Sequence, residues 1–168
     1  MAEAPNEAGA YDDLFTSLHD GVLRYAYLLV GDREIARDLT AEAFARMLVP
    51  WRRRTVEQPE AYVRRIVLNL VRDGHRRSVG RDVRERLASR SEEEPSFDTP
   101  IAQRVSLLAA LATLPPRQRA VVVLRFYEGR TEADIASVLG VRVGTVKSTL
   151  SRALDRLRGS LASEGEMQ

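Results

Sequence analysis

Residues 131–158, TEADIASVLGVRVGTVKSTLSRALDRLR, constrain the fold more than any other stretch of the chain. Thr131 stands where a helix N-cap would, with Asp134 three residues on, close to a capping box. Ile135, Val138 and Leu139 give the short helix that follows one apolar face. Gly140 stops it, because glycine accepts the left-handed conformation that helix ends favour. After a three-residue turn a second helix begins near Val143–Gly144. In it Val146, Leu150, Ala153, Leu154 and Leu157 recur at i, i+4, i+7, i+8 and i+11, one buried stripe. Thr145, Lys147, Ser148, Ser151, Arg152 and Arg156 fall elsewhere on this helix. The pattern predicts a helix-turn-helix whose second helix presents polar and basic side chains to DNA. Charge points the same way: residues 142–158 carry five bases (Arg142, Lys147, Arg152, Arg156, Arg158) against one acid, Asp155.

Charge is unevenly spread over the rest of the chain. Residues 1–45 hold nine acids and three bases, whereas residues 52–77 hold eight arginines and three acids. Two basic segments suggest two contacts with nucleic acid. The acidic front end would be repelled by DNA and suggests a protein partner. The absence of cysteine from the 168-residue chain excludes disulfides, thiolate nucleophiles and thiolate metal sites. His19 and His75 lie far apart, and no nucleotide-binding glycine loop or catalytic motif is present. No enzyme activity, metal, cofactor or small-molecule substrate is therefore expected. No apolar run approaches the ~20 residues of a membrane span, and the start MAEAPNEAGA lacks the features of a signal peptide, so a cytoplasmic location is expected.

The periodicity predicts an all-α protein of two small helical domains joined by a flexible linker. A helix over 11–30 carries Leu14, Leu18, Val22, Tyr25 and Leu29 on one side and ends at Gly31. Asp32 caps a second helix that runs to about Val49, where Pro50 closes it. Trp51 and Arg52–Arg54 open a loop. Trp51 reads either as a core anchor or as a stacking platform for a base, and the arginines either as solvated or as phosphate contacts. Pro59 starts a third helix with an apolar stripe of Tyr62, Val63, Ile66, Val67, Leu70 and Val71, ending near His75–Arg77. Asn69 interrupts this stretch, as a buried amide or as a base contact. Residues 78–100 are polar and contain SEEEPSFDTP, which reads as the linker. A helix then starts at Thr99–Pro100, breaks at Leu114–Pro115–Pro116, and is followed by one over 117–127. After Arg158 the tail is expected to fray. The predicted boundaries are 10–77 for the first domain, 78–100 for the linker and 101–160 for the second domain.

LPPRQRAVVVLRFYEG followed by EADIASVLGVRVGTVKSTLSRALDRLR resembles region 4 of sigma-70-type transcription initiation factors. GDREIARDLTAEAFARML and PEAYVRRIVLNLVRDGHRR resemble their region 2. With these two regions only, the chain is similar to the extracytoplasmic-function (ECF) group, nearest in wording to its SigE-like subgroup. The resemblance implies a non-enzymatic factor that gives core RNA polymerase its promoter recognition and helps to melt the duplex. It implies that Asp38, Leu39, Glu42 and Phe44 dock on the β′ clamp helices, and that region 4 also meets the β-flap. Arg52, Arg53, Arg54, Arg65, Asn69, Arg72, Arg76 and Arg77 would open and read the −10 element. Arg142, Thr145, Lys147, Ser148, Ser151, Arg152 and Arg156 would read the −35 element. Relatives often carry a capping serine where this chain has Arg142, which cannot cap a helix but can reach a phosphate. The partners so implied are core polymerase and promoter DNA; an anti-sigma factor stays open at this point. Two rivals fit the residues alone, a dimeric helix-turn-helix repressor or activator and a partner-sequestering adaptor.

Overall fold

In the computed structural model the described residues are 7–77 and 101–165, and every regular element among them is a helix. Helix α1 spans Glu7–Val30, α2 Arg33–Arg52 and α3 Pro59–Arg77. After the predicted linker, which lies outside the described residues, come α4 (Ile101–Ala112), α5 (Pro116–Val122), a π-turn (Val123–Tyr127), α6 (Glu132–Leu139) and α7 (Val143–Gly165). The chain is all-α, with two helical clusters, α1–α3 and α4–α7.

Local chemistry accounts for most of the boundaries. Gly31, at φ 69°, ends α1 and donates to the Tyr27 carbonyl at 2.7 Å. The Asp32 carboxylate then accepts from the Ile35 amide at 2.9 Å and starts α2. Helix α1 starts at Glu7 rather than Tyr11, and three further boundaries differ from the sequence expectation. First, α2 does not stop at Pro50 but runs on to Arg52. A proline forfeits one N–H, and here its own carbonyl still accepts from the Thr55 amide and hydroxyl, each at 3.1 Å. Second, the helix expected over 117–127 splits at Val123. The Glu128 amide reaches back five residues to the Val123 carbonyl at 3.1 Å, which widens the turn. Third, α7 does not end at Arg158 but continues to Gly165.

The first cluster packs around Val22, Tyr25, Leu29, Met47, Val63 and Val67, the second around Leu108, Leu111, Val121, Leu124, Ile135 and Val146. The two do not stand apart. The described halves meet along a seam in which α3 lies against α5 and α6, and α1 against α4 and the π-turn.

Candidate nucleic-acid and polymerase interface

The recognition-helix geometry follows from its flanking residues. Thr131 Oγ1 accepts from the Asp134 amide at 3.2 Å, and Asp134 Oδ2 accepts from the Thr131 amide at 3.1 Å, so the capping box is complete. The hydrogen bonds from Thr131 hold the Asp134 carboxyl below its ordinary range. Gly140 sits at φ 66°, ψ 41° and turns the chain into α7. Val146 and Ala153 are fully buried, which fixes the rotation of α7. Ser148, Ser151, Arg152 and Asp155, at i, i+3, i+4 and i+7, then form the ridge opposite the buried stripe.

Arg142, Thr145, Lys147, Ser151, Arg152 and Arg156 are all exposed, and Ser148 is half-buried with its hydroxyl on the Thr145 carbonyl. Lys147 Nζ lies 3.6 Å from Glu132, and Arg158 pairs with Asp155 at 2.9 Å. Arg142 stands before α7 and contributes its carbonyl, accepting from the Thr145 amide at 2.9 Å. Six of the seven −35 candidates thus lie between Thr145 and Arg156 on the outward side of α7, with Arg142 just before the helix.

The −10 candidates divide. Arg52, Arg53 and Arg54 are exposed where α2 ends. Arg54 adopts φ 53°, the left-handed region that a glycine more often fills. Trp51 is half-buried against Tyr11, ring centroids 6.0 Å apart. On α3, Arg65, Asn69 and Arg72 share one face at i, i+4 and i+7. Asn69 is exposed, so it is not the buried amide that the sequence left open, and Arg72 is half-buried. Arg65 is turned onto the second cluster. Its Nε donates to the Val138 carbonyl at 3.2 Å, its Nη2 donates to the Ser137 carbonyl, and its guanidinium lies over the Gly140 turn. The cation therefore caps the C-terminus of α6, where unsatisfied carbonyls and the helix dipole favour it. The side chains of Arg76 and Arg77 lie outside the described residues.

On α2, Glu34, Asp38 and Glu42 are exposed at i, i+4 and i+8, an acidic ridge. Glu42 also pairs with Arg46 at 2.6 Å. Leu39 is half-buried beneath the ridge. Phe44 is only 3% exposed and packs edge-on against Phe15 at 4.7 Å, while its carbonyl accepts from the Tyr11 hydroxyl at 2.6 Å. Phe44 thus lies beneath Phe15, which is 38% exposed. The apolar stripe of α1 gave no sign of this, because Phe15 lies beside it.

Sequence reading also missed the polar groups of the seam. Arg64, on α3, is 3% exposed and binds Glu128 at 3.0 Å and Glu60 at 3.3 Å. Arg130 binds the same two carboxylates, its Nη2 on Glu60 and its Nε 3.2 Å from Glu128. Two arginines and two glutamates therefore alternate in a neutral ring, half of it on α3 and half just after the π-turn. The hydrogen bond that Arg130 donates to Glu60 raises its pKa further above the ordinary value. Arg64 also passes over the Tyr25 ring, 6.0 Å from its centroid. Gln58 Oε1 accepts from the Ser137 hydroxyl across the same seam. No spacing rule links residues so far apart in the chain. A cluster of His, Cys, Asp and Glu able to hold a metal does not occur among the described residues, nor does a helix long and apolar enough to cross a membrane.

Residues 14–81 match the model of sigma-70 region 2, and residues 104–157 that of sigma-70 region 4. The RNA polymerase sigma-E factor of Streptomyces coelicolor is 37% identical over 158 residues, covering 91% of this chain and 86% of that one. The chain belongs to the ECF group of the sigma-70 family, in its SigE-like subgroup. The ECF RNA polymerase sigma factor SigL of Mycobacterium tuberculosis is 30% identical and covers 98% of each chain. Two solved structures share the fold at 22% identity. They are the sigma factor RpoE with the anti-sigma factor NepR from Bartonella quintana (TM-score 0.69, 91% of this chain and 97% of that one), and CnrH with the cytosolic domain of CnrY (TM-score 0.63, 93% and 90%). The α1–α3 cluster is thus region 2 and the α4–α7 cluster region 4. This ECF sigma factor is a transcription initiation factor that recognises promoters with core RNA polymerase, and not an enzyme.

Proposed function

We propose that this sigma factor works as a two-headed promoter reader carried in the cytoplasm by core RNA polymerase. Its region 2 covers residues 10–77, its linker residues 78–100 and its region 4 residues 101–160. The observation that carries the reading is the seating of α7: the burial of Val146 and Ala153 leaves Ser148, Ser151 and Arg152 as the outward ridge. In this reading that ridge enters the major groove of the −35 element, with Thr145, Lys147 and Arg156 beside it and Arg142 on a phosphate. Arg52–Arg54, Arg65, Asn69, Arg72, Arg76 and Arg77 serve the −10 element. Arginines hold the backbone, and Asn69 contributes hydrogen bonds that offset the few kcal/mol needed to unstack a base.

The acidic ridge of Asp38 and Glu42, with Leu39 behind it and Phe44 holding Phe15 outward, docks on the β′ clamp helices, and region 4 meets the β-flap. Charge supports this division: a ridge of carboxylates is repelled by DNA and suits a basic protein surface. An anti-sigma factor is the natural regulator, since two structural relatives were solved in complex with partners of that kind or with CnrY. The test is affinity capture of core polymerase by the full chain. Wild type should retain core enzyme, and Glu42→Arg should weaken retention at least ten-fold by charge reversal. Equal retention by both would remove the α2 ridge from the interface.

A further inference from the structure

Lys147 is the only lysine of the chain, and it stands on the recognition helix. Its ammonium lies 3.6 Å from the Glu132 carboxylate, with the lysine side chain 65% exposed and the glutamate 35%. The partner comes from a different element: Glu132 is the first residue of α6, whereas Lys147 sits in the second turn of α7. The N-terminal end of a helix favours a carboxylate such as Glu132. Asp134, the other acid of that turn, is taken up by the capping box, its Oδ2 accepting from the Thr131 amide and hydroxyl. Glu132 is therefore the acid left to reach α7. Arg142, Arg152 and Arg156, the remaining cations of the −35 face, have no carboxylate partner among the described residues.

The pair is not needed to join the two helices. Ile135 and Val138 of α6 and Val146 and Ala153 of α7 are buried and fix the helix-turn-helix from within. An exposed ion pair adds little to stability beside them. What the carboxylate changes is the behaviour of the lysine toward DNA. A lysine is a point charge on a flexible stem with three rotatable donors, and one free to swing finds phosphates. Phosphate contacts tighten binding to every sequence alike, whereas contacts with base edges discriminate. Pairing with Glu132 removes one net positive charge from the face and restrains the ammonium toward α6. A loose cation beside the Ser148–Ser151–Arg152 ridge would strengthen binding to any duplex and dilute what the ridge reads.

We propose that Glu132 is a specificity-determining positioning residue, which withholds Lys147 from the phosphates and so suppresses sequence-independent binding by region 4. The inference rests on the assignment of α7 to the −35 element. It accounts for an acid placed beside a DNA-reading cation, where attraction to DNA alone would favour its absence. The effect has a defined size. Each phosphate neutralised adds about 0.9 to the slope of log affinity against log salt, or roughly an eight-fold difference over a ten-fold change in salt.

Glu132→Gln keeps the shape of the side chain and removes its charge. Promoters are first selected from a random library with the wild-type chain and core enzyme; failure to select any would refute the sigma-factor assignment itself. Binding of the full chain to a random-sequence duplex is then followed by fluorescence anisotropy as salt is raised. Run-off transcription with core enzyme is compared on a selected promoter and on the same promoter with its −35 element scrambled. Glu132→Gln should steepen the salt slope by about 0.9, one phosphate, and lower the promoter preference by about three-fold or more. In a Lys147→Gln background the same change should lose most of its effect, because the carboxylate acts through the lysine. An unchanged slope in Glu132→Gln, or a steeper slope with unchanged preference, would overturn the proposal. So would an effect that persists in full without Lys147, which would put the carboxylate on DNA itself. Lys147→Gln that matches wild type in both readings would remove Lys147 from the −35 face, and the proposal would fall together with that part of the α7 assignment.

Discussion

Arg119 tests how this small fold holds its helix ends together. The guanidinium is buried, and no carboxylate partners it among the described residues. It donates to the carbonyls of Leu29 at the end of α1, Leu114 at 2.9 Å and Ala112 at 3.3 Å, just after and at the end of α4. Burial lowers its pKa from 12.5 to about 10, so it stays charged at neutral pH at a desolvation cost of about 3 kcal/mol. The carbonyls must more than offset that cost. A hydrogen bond from a charged donor nets about 1.5–3 kcal/mol, and the buried Nε finds no partner among the described residues. Arg119→Met keeps the stem and removes the donors, so unfolding free energy should fall by about 3 kcal/mol, or roughly 6–12 °C in Tm for a chain of this size. Urea denaturation followed by far-UV circular dichroism reads the loss. A loss below about 1 kcal/mol, or a more stable Met variant, would show that the carbonyls only repay the desolvation. Arg119→Lys, which keeps the charge and reaches fewer acceptors, should fall between the two.

Tyr25 gives a pH test. Its hydroxyl is buried with no hydrogen-bond partner among the described residues. Burial first, and then the Glu128 carboxylate, raise its pKa well above the ordinary 10, with Arg64 opposing. A raised pKa stabilises the fold below pH 10, and that contribution is lost as pH climbs above 10. Tyr25→Phe should therefore match or exceed wild type by about 1 kcal/mol at pH 7 and lose less than wild type at pH 10.5 in thermal melts; equal losses would exclude Tyr25 as the titrating group. Gly144, in the first turn of α7, has open space where a Cβ would stand. Gly144→Ala should raise stability by about 0.5–1 kcal/mol while lowering transcription if the −35 duplex lies against this turn as proposed; unchanged transcription would place the duplex elsewhere. Arg152→Ala should cost about 1–3 kcal/mol of base discrimination and relax one −35 position in a promoter library. Arg158→Ala, already paired with Asp155, should do less, and equal losses with unchanged sequence preference would make both backbone contacts.

Much of region 4 could be read directly from the chain because its signals are local. Thr131, Asp134 and Gly140 lie within ten residues of one another and dictate the capping box and the turn without help from the rest of the fold. The stripe of α7 was legible for the same reason, since the 3.6-residue period alone decides which side chains are buried. Pro50 misled because proline predicts a stop wherever it stands, whereas in a last turn the helix loses little by containing it. The π-turn at Val123–Tyr127 has no sequence signal comparable to a cap, and splitting an apolar run leaves its composition unchanged. The seam was illegible for a different reason. Arg64 and Glu128 are sixty-four residues apart, and in a list of charges Arg64 looks like any other arginine of a basic segment. Only tertiary packing shows that it is buried and neutralised, that Arg65 caps a helix of the other region, and that Phe15 replaces Phe44 at the surface.

In the proposed function α3 and α7 read two elements at a separation imposed by polymerase. Run-off transcription with core enzyme, on a selected promoter carrying insertions of one, five or ten base pairs between the elements, tests it most directly. Five added pairs turn the −35 edge to the opposite face of a helix that repeats every ~10–10.5 pairs, and ten restore the face but lengthen the span by roughly 34 Å. A sharp loss at five and little recovery at ten are expected, because a rigid carrier sets distance as well as rotation. Full activity at all three spacings would mean that the helix-turn-helix acts alone, and would contradict the two-headed reading.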